Sequence, residues 1–291
     1  MAPAYRLPCH HVRMTIPSRP AMLRTVGCAL RATVGQPTGI VLAVAVARST
    51  GLEITESLAV EVEGRPLSVH EVVGRAGTRW HCADAPAGEL EVRYDAVVGG
   101  RAEAAAVAPI DLIEDVRPSR FVQSDLLAGV LVDAAEVEAL TAMPPLDRLT
   151  AARTMVADVL EYAPGATTAT DGLPEVLDTG QGVCRDYAHL LAGLLRSTDL
   201  PARVVSVYAP QLVPMDFHAV VEVAVGGRWW VLDATGLAPR NEMLRIATGR
   251  DAADTAFLAN DGSSLTLRSI RVHARAEGGR LEQEDDLIEL S

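Results

Sequence analysis

Cys184, His218 and Asp233 have types and surroundings that could together supply a nucleophile, a base and a partner for that base. Taken singly, each has a plainer reading. The cysteine is a small buried hydrophobe, the histidine an ordinary strand residue, and the aspartate a turn former at a strand end. Their settings argue for more. Cys184 follows a Gly-containing turn in DTGQGVCRDYAHLLAGLL and opens an apolar-faced helix. First-turn N–H groups have no partner within a helix, and the macrodipole presents partial positive charge there. Both favour a thiolate, the nucleophilic form, and the same N–H groups can donate to a developing oxyanion.

His218 and Asp233 meet through a hairpin. His218–Val225 (HAVVEVAV) is followed by Gly226-Gly227 and then by Arg228–Thr235 (RWWVLDAT). Two glycines form a tight hairpin turn readily, because both turn residues can take positive φ. That turn pairs Val225 with Arg228, sets Asp233 opposite Val220 and sets His218 opposite Thr235. Side chains alternate faces along a strand, so His218, Val220, Asp233 and Thr235 share one face. His218 and Asp233 are then diagonal neighbours, roughly 7–8 Å apart at the backbone. The opposite face carries Ala219, Val221, Val223, Val225, Trp230, Leu232 and Ala234, a packing surface. An aspartate beside a histidine fixes the ring's tautomer and stabilises the imidazolium. The pairing depends on register, since a one-residue slip of one strand would separate the two side chains.

The elements that must hold these residues follow from periodicity. Pro145–Tyr162 reads as a helix from the spacing of Leu146, Leu149, Met155, Val156, Val159 and Leu160, closed by Pro164-Gly165. A second helix starts near Gly182 or Cys184 and runs to about Ser197, and Leu200-Pro201-Ala202 breaks it. Strands follow over Arg203–Tyr208, His218–Val225 and Arg228–Ala234. Helices before a run of antiparallel strands give an α+β class. Residues 1–110 read as a β-rich N-terminal module, with strand-like Arg24–Val34, Gly39–Ala47, Ser57–Val62 and Glu89–Tyr94 between turn-rich stretches. Their spacing suggests an all-β sandwich-like unit. Residues 111–144 read as a connector, 145–260 as the domain that carries the chemistry, and 261–291 as a C-terminal strand with an acidic tail, in which Glu282–Glu289 is expected to fray.

Composition narrows the function. The chain has 291 residues, enough for two domains, with 49% apolar residues and a formal net charge of −12. That charge argues against nucleic acid as a partner. The longest apolar run, Gly39–Ala47, is too short to cross a bilayer, and the first twenty residues lack a signal peptide's apolar core. A cytoplasmic protein without a membrane partner is therefore expected, with Cys9, Cys28, Cys82 and Cys184 as free thiols. Cys9-His10-His11 and His81-Cys82 lack the ligand spacing of structural zinc sites, and no phosphate-binding glycine motif occurs. No metal or cofactor is expected. On the second helix, His189 lies about 140° beyond one full turn from Cys184, a poor position for its base. Asp186 suits the helix dipole, and Asp216 shares strand parity with His218 but is not on the partner strand.

GQGVCRDYAHLLAGLLRSTDLPARVVSVY, then DFHAVVEV, then GGRWWVLDAT, resembles the bacterial transglutaminase-like superfamily of papain-type cysteine enzymes. The usual glycine before Leu200-Pro201-Ala202-Arg203 is replaced by Asp199, and Val220 stands where tryptophan is frequent after the histidine. Trp230-Val231-Leu232-Asp233 fits the last motif well. Looser likeness extends to residues 116–125 and 245–257. The resemblance implies a papain-like core, a Cys-bearing helix packed on an antiparallel sheet. It implies Cys184 as nucleophile, His218 as base and acid, and Asp233 as the group orienting the histidine. Gln181, Val183 and Tyr208 are candidates on the oxyanion or substrate side. The expected reaction is acyl transfer from a peptide or amide substrate through a thioester, with a protease-like hydrolase preferred. Protein-glutamine amine transfer and a non-catalytic scaffold are the alternatives. Oligomeric state is not legible.

Overall fold

The computed structural model describes residues 22–262, 264–278, 282–283 and 286–290. Cys9-His10-His11 thus lies outside the described residues. β1 (Leu23–Val34) turns Val26, Cys28, Leu30, Ala32 and Val34 inward, as a strand with one face on a core does. It pairs antiparallel with β7 (Gly88–Gly100) on one side and β15 (Leu265–Glu277) on the other. With β3 (Leu52–Val62) and β4 (Arg65–Pro66) these make a sheet of order β15-β1-β7-β3-β4. A second sheet contains β2 (Thr38–Leu42), β5 (His70–Val73), β6 (Arg79–Ala85) and β14 (Leu258–Asn260), in the order β14-β2-β6-β5. Both sheets close on one core that includes Val26, Leu30, Ile40, Leu42 and Val92. The result is a sandwich to which the far end of the chain contributes β14 and β15.

The apolar run Gly39–Ala47 is only partly a strand. After Leu42 the backbone leaves the ladder, and its buried N–H groups donate elsewhere: Ala43 to the Phe257 carbonyl, Val46 to the Tyr94 hydroxyl and Ala47 to the Arg245 carbonyl. Continuous burial, rather than sheet pairing, explains its composition.

Past a short helix α1 (Asp111–Glu114) the connector is held from both sides. Arg75 Nη2 donates to Asp111 at 2.7 Å and to Asp115 at 2.6 Å. Arg196 donates to the carbonyls of Arg117, Ala202 and Arg250. Helices α2 (Ala134–Ala142) and α3 (Pro145–Val159) follow. The predicted helix to Tyr162 stops earlier, because Glu161-Tyr162 forms β8, a parallel two-residue bridge with β9 (Gln181–Gly182). Between them α4 (Leu173–Thr179) ends on Gly180 at φ 64°.

Helix α5 (Cys184–Ser197) lies against a sheet of order β12-β11-β10-β13, built from β10 (Ala202–Tyr208), β11 (Phe217–Val225), β12 (Arg228–Leu232) and β13 (Leu244–Gly249). Leu190, Leu191, Leu194 and Leu195 share a core with Val204, Val221, Val223 and Leu232. Each such leucine contributes about 1.5–3 kcal/mol by burial. The hairpin register is the one that the two glycines dictate: Val225 pairs with Arg228 and Val221 with Leu232, with φ of 65° and 76° at Gly226 and Gly227. The class is α+β, with antiparallel sheets and the Cys-bearing helix packed on one of them.

The other face of this sheet is covered by the chain's end. Leu290 joins Val205, Val207, Val220 and Val231 in a core, with Ile288 beside it. Val231 N–H donates to the Ile288 carbonyl at 2.7 Å, Glu282 pairs with Arg240 and Glu289 with Arg228. The stretch expected to fray is thus anchored wherever it is described, because Ile288 and Leu290 find apolar cover and the acids find guanidinium partners. A short helix α6 (Ala252–Thr255) precedes β14.

Candidate active site

The turn before Cys184 is built around Asp186. Its Oδ2 accepts from the Val183 N–H at 2.9 Å and the Thr167 hydroxyl at 2.6 Å, and its Oδ1 accepts from Arg185 Nη2 at 2.7 Å. This fully buried carboxylate caps the helix start and fastens the preceding loop to it. Gly182 is required by close approach: a Cβ there would meet the Asp186 Cβ at 2.7 Å. Val183 therefore enters the helix extended, and Cys184 takes the first helical position.

The ladder between β11 and β12 stops at Leu232, which leaves the edge of β11 open beside Phe217 and His218. The start of α5 meets that edge, with Cys184 Sγ 4.0 Å from the Phe217 carbonyl oxygen. Beyond the ladder's end Asp233 turns toward His218, and its Oδ2 lies 2.7 Å from the ring's Nε2. Asp233 Oδ1 accepts from the N–H and the hydroxyl of Thr235, at 2.8 and 2.7 Å. Both carboxylate oxygens are thus engaged. With Nε2 taken, Nδ1 makes no hydrogen bond of its own and is the ring atom left for the Cys184 side chain, which lies within electrostatic range of the imidazole.

The His218 and Asp233 side chains are buried while Cys184 keeps partial exposure. Burial alone would push the His218 imidazolium down. The Asp233 charge and hydrogen bond, with Cys184 beside the ring, outweigh it and raise the value from 6.5 to about 10. Burial opposes ionisation of Asp233 too, yet the His218 cation and the Thr235 bonds hold it below the usual carboxylate range. The two shifts agree on one arrangement, an imidazolium paired with a carboxylate.

The structure brings Cys184, His218 and Asp233 together and turns the other three candidates away. Gln181 Nε2 donates to Glu161 at 3.3 Å, and the Val183 N–H is taken by Asp186. The Tyr208 hydroxyl donates to the Val44 carbonyl at 2.7 Å inside the sandwich core. His189 is buried against Phe121, its Nε2 accepting from the Ala252 N–H at 3.1 Å, and burial lowers it to about 4. Asp216 spends Oδ1 on its neighbour's N–H, at 2.7 Å from Phe217 N. His81 is buried at 3.3 Å from Glu71. Among the described residues no group of three or more His, Cys, Asp or Glu could hold a metal ion. No helix there is long and apolar enough to cross a membrane.

Two residues at the site were not singled out for a role from sequence. Thr235 is signalled weakly by the Asp-x-Thr spacing that permits an Asx turn. Tyr162 is brought to the Cys184 backbone by the β8–β9 bridge, and no local signal announces it.

Helix, sheet edge and buried His–Asp pair define a papain-type α+β core. Residues 134–234 match the Transglutaminase-like superfamily. A crystal structure of a candidate cysteine protease from Cytophaga hutchinsonii superposes with a TM-score of 0.78 at 28% identity, over 93% of this chain and 94% of that one. The likeness thus includes the sandwich as well as the core. An uncharacterized protein of Mycobacterium leprae is 32% identical over 123 residues, 39% of this chain and 44% of that protein. One from Mycobacterium tuberculosis is 32% identical over 108 residues, 32% of this chain and 34% of its own. The matches thus span less than half the length of these curated relatives.

Proposed function

We propose that the chain is a cysteine-dependent acyl-transfer enzyme, an amide or peptide hydrolase that works through a thioester. The observation that carries this reading is the buried His218–Asp233 pair, with the second ring nitrogen left for a cysteine at the first position of a helix. Cys184 attacks the substrate carbonyl as a thiolate, and the imidazolium beside it holds that charge. His218 then protonates the departing amine, and Asp233 keeps the ring in the required tautomer and orientation. Water, activated by the now neutral His218, hydrolyses the acyl-enzyme. A scaffold that had lost catalysis would have no use for a desolvated charged pair aimed at a thiol. The likeness to the Cytophaga protein over nearly the whole chain supports the protease-like form. Free Cys28, Cys82 and Cys184 suit a reducing compartment, and we read the protein as cytoplasmic.

Alkylation by iodoacetamide, followed by mass spectrometry, tests the nucleophile. Cys184 is expected to react at least about ten times faster at pH 7 than a free cysteine peptide, as activated thiols do, and Cys184→Ala to lose that modification. Equal rates for Cys184 and the free peptide would sink the reading. A panel of peptides, and of glutamine peptides with an added primary amine, separates hydrolysis from transfer. Release of free acid with no amine adduct is the expected result.

A further inference from the structure

The neighbourhood of Tyr162 carries one more assignment, which rests on the acyl-transfer reading above. The β8–β9 bridge sets Tyr162 opposite Gly182, with the Glu161 N–H donating to the Gly180 carbonyl and the Ala163 N–H to the Gly182 carbonyl, each at 2.9 Å. Cys184 lies two residues beyond Gly182 along a stretch that stays extended through Val183, so Tyr162 and Cys184 fall on the same side of the bridge. The Tyr162 ring leans on Tyr187, one turn into α5, with centroids 6.0 Å apart at 47°. Tyr187 is itself fixed by donating its hydroxyl hydrogen to the Leu160 carbonyl, two residues before Tyr162. So supported, the Tyr162 hydroxyl lies near the Cys184 backbone and within electrostatic range of Cys184, Asp216 and Asp233. Tyr162 is 38% exposed, which leaves it room to shift aside for a substrate carbonyl.

We infer that the Tyr162 hydroxyl is the side-chain donor of the oxyanion site and works beside the backbone N–H of Cys184. When the Cys184 thiolate forms its bond to the carbonyl carbon, the C=O π pair moves onto oxygen. That oxyanion receives hydrogen bonds from the Cys184 N–H and the Tyr162 O–H. When the carbonyl reforms, the leaving group departs with the proton from His218. Tyr162 keeps its own proton throughout. Burial and the neighbouring Cys184 push its hydroxyl up to about 12, so it is a neutral donor across the working pH range. A backbone N–H at a helix start leaves the oxyanion with one fixed donor; oxyanion sites work through several preorganised donors. Of the sequence candidates for the second, Gln181 and Val183 are committed elsewhere.

Tyr162→Phe keeps the ring and its support on Tyr187 and removes only the hydroxyl. Two reactions of Cys184 distinguish the roles. Acylation by p-nitrophenyl acetate passes through an oxyanion, whereas alkylation by iodoacetamide does not. The expected result is single-turnover acylation slowed by about 10²-fold, the usual loss for one oxyanion donor, with alkylation within about twofold of wild type. Acylation at the wild-type rate in Tyr162→Phe, with Cys184→Ala inert, overturns the assignment to Tyr162 and leaves the acyl-transfer reading standing. Equal slowing of both reactions also overturns it, because the hydroxyl would then act on the thiol. A wild-type Cys184 that neither acylates nor alkylates faster than a free thiol removes the reading beneath it, and the assignment with it.

Discussion

At the scale of single residues, His218 shows how environment decides protonation. Its ring is desolvated, which alone would make it neutral, yet Asp233 2.7 Å away reverses the outcome. The folded value of about 10 lies above the ordinary 6.5. The pair therefore adds stability that is complete below about pH 6.5 and is lost as pH climbs toward 10. Substituting Asp233→Asn removes the charge that raises the ring and leaves burial to lower it. In wild-type protein the His218 ring signals in a ¹H–¹³C NMR titration should stay at imidazolium positions through neutral pH. In Asp233→Asn the midpoint should fall by several pH units, and acyl transfer should drop by up to about 10⁴-fold, as when an orienting aspartate is amidated. An unmoved midpoint would show that Asp233 does not set the protonation of the ring.

At the scale of elements, the sheet under α5 is tied by charge as well as by apolar packing. Glu222 on β11 accepts from Arg203 on β10 at 2.8 Å and from Arg245 on β13 at 2.6 Å. The Arg203 guanidinium also lies 3.7 Å from the Trp229 ring of β12, so all four strands share the cluster. Burial opposes the charge on Glu222, but the two guanidinium groups prevail and lower it from 4.5 to about 2. A depressed acid stabilises the fold above its unfolded value and loses that contribution as pH falls through its folded one. Wild-type protein should therefore lose stability between about pH 4.5 and 2. Glu222→Gln should lack this part of the acid sensitivity, yet be less stable at pH 7 by about 3–5 kcal/mol, the cost of stranding buried cations. Urea denaturation at several pH values checks both signs.

At the scale of the molecule, sandwich and papain-type core are continuous. Tyr208, Leu244 and Ile246 from the core's sheet stand in the same cluster as Val26, Leu30 and Ile40. β15, after the core in sequence, completes the pairing of β1 along its whole length. Leu290 then returns to the opposite face of the core's sheet. Heat should unfold the protein in one transition, since Tyr208, Leu244 and Ile246 bind the sheet under α5 into the core of the sandwich. Ending the chain at Asn260 would expose an edge of β1 and uncover Val205, Val220 and Val231. Such a variant should lose cooperative melting by circular dichroism and aggregate. Retention of a sharp transition near the wild-type temperature would show that the returning segments are dispensable.

Much of the site was legible because its determinants are local. The Gly226-Gly227 pair set the hairpin register through positive φ, and alternation then put His218 and Asp233 on one face. The Gly turn and the apolar spacing after it marked Cys184 as a helix start. Where the linear signal ended, contacts between segments distant in sequence took over. Leu160–Tyr162 carried on the helical pattern until a bridge to Gly182 claimed it. Gln181, Val183 and Tyr208 had suitable donors that nearer partners had already taken. The acidic tail looked solvated until arginines distant in sequence met it. The sequence by itself determined the strand faces, the hairpin register and the helix that begins at Cys184, because periodicity and turn chemistry act between near neighbours. Only the tertiary structure decided that Tyr162 lies beside Cys184 and that the chain's end covers the sheet. Those outcomes are set by competition for hydrogen-bond partners and apolar cover among segments that meet only when the chain is folded.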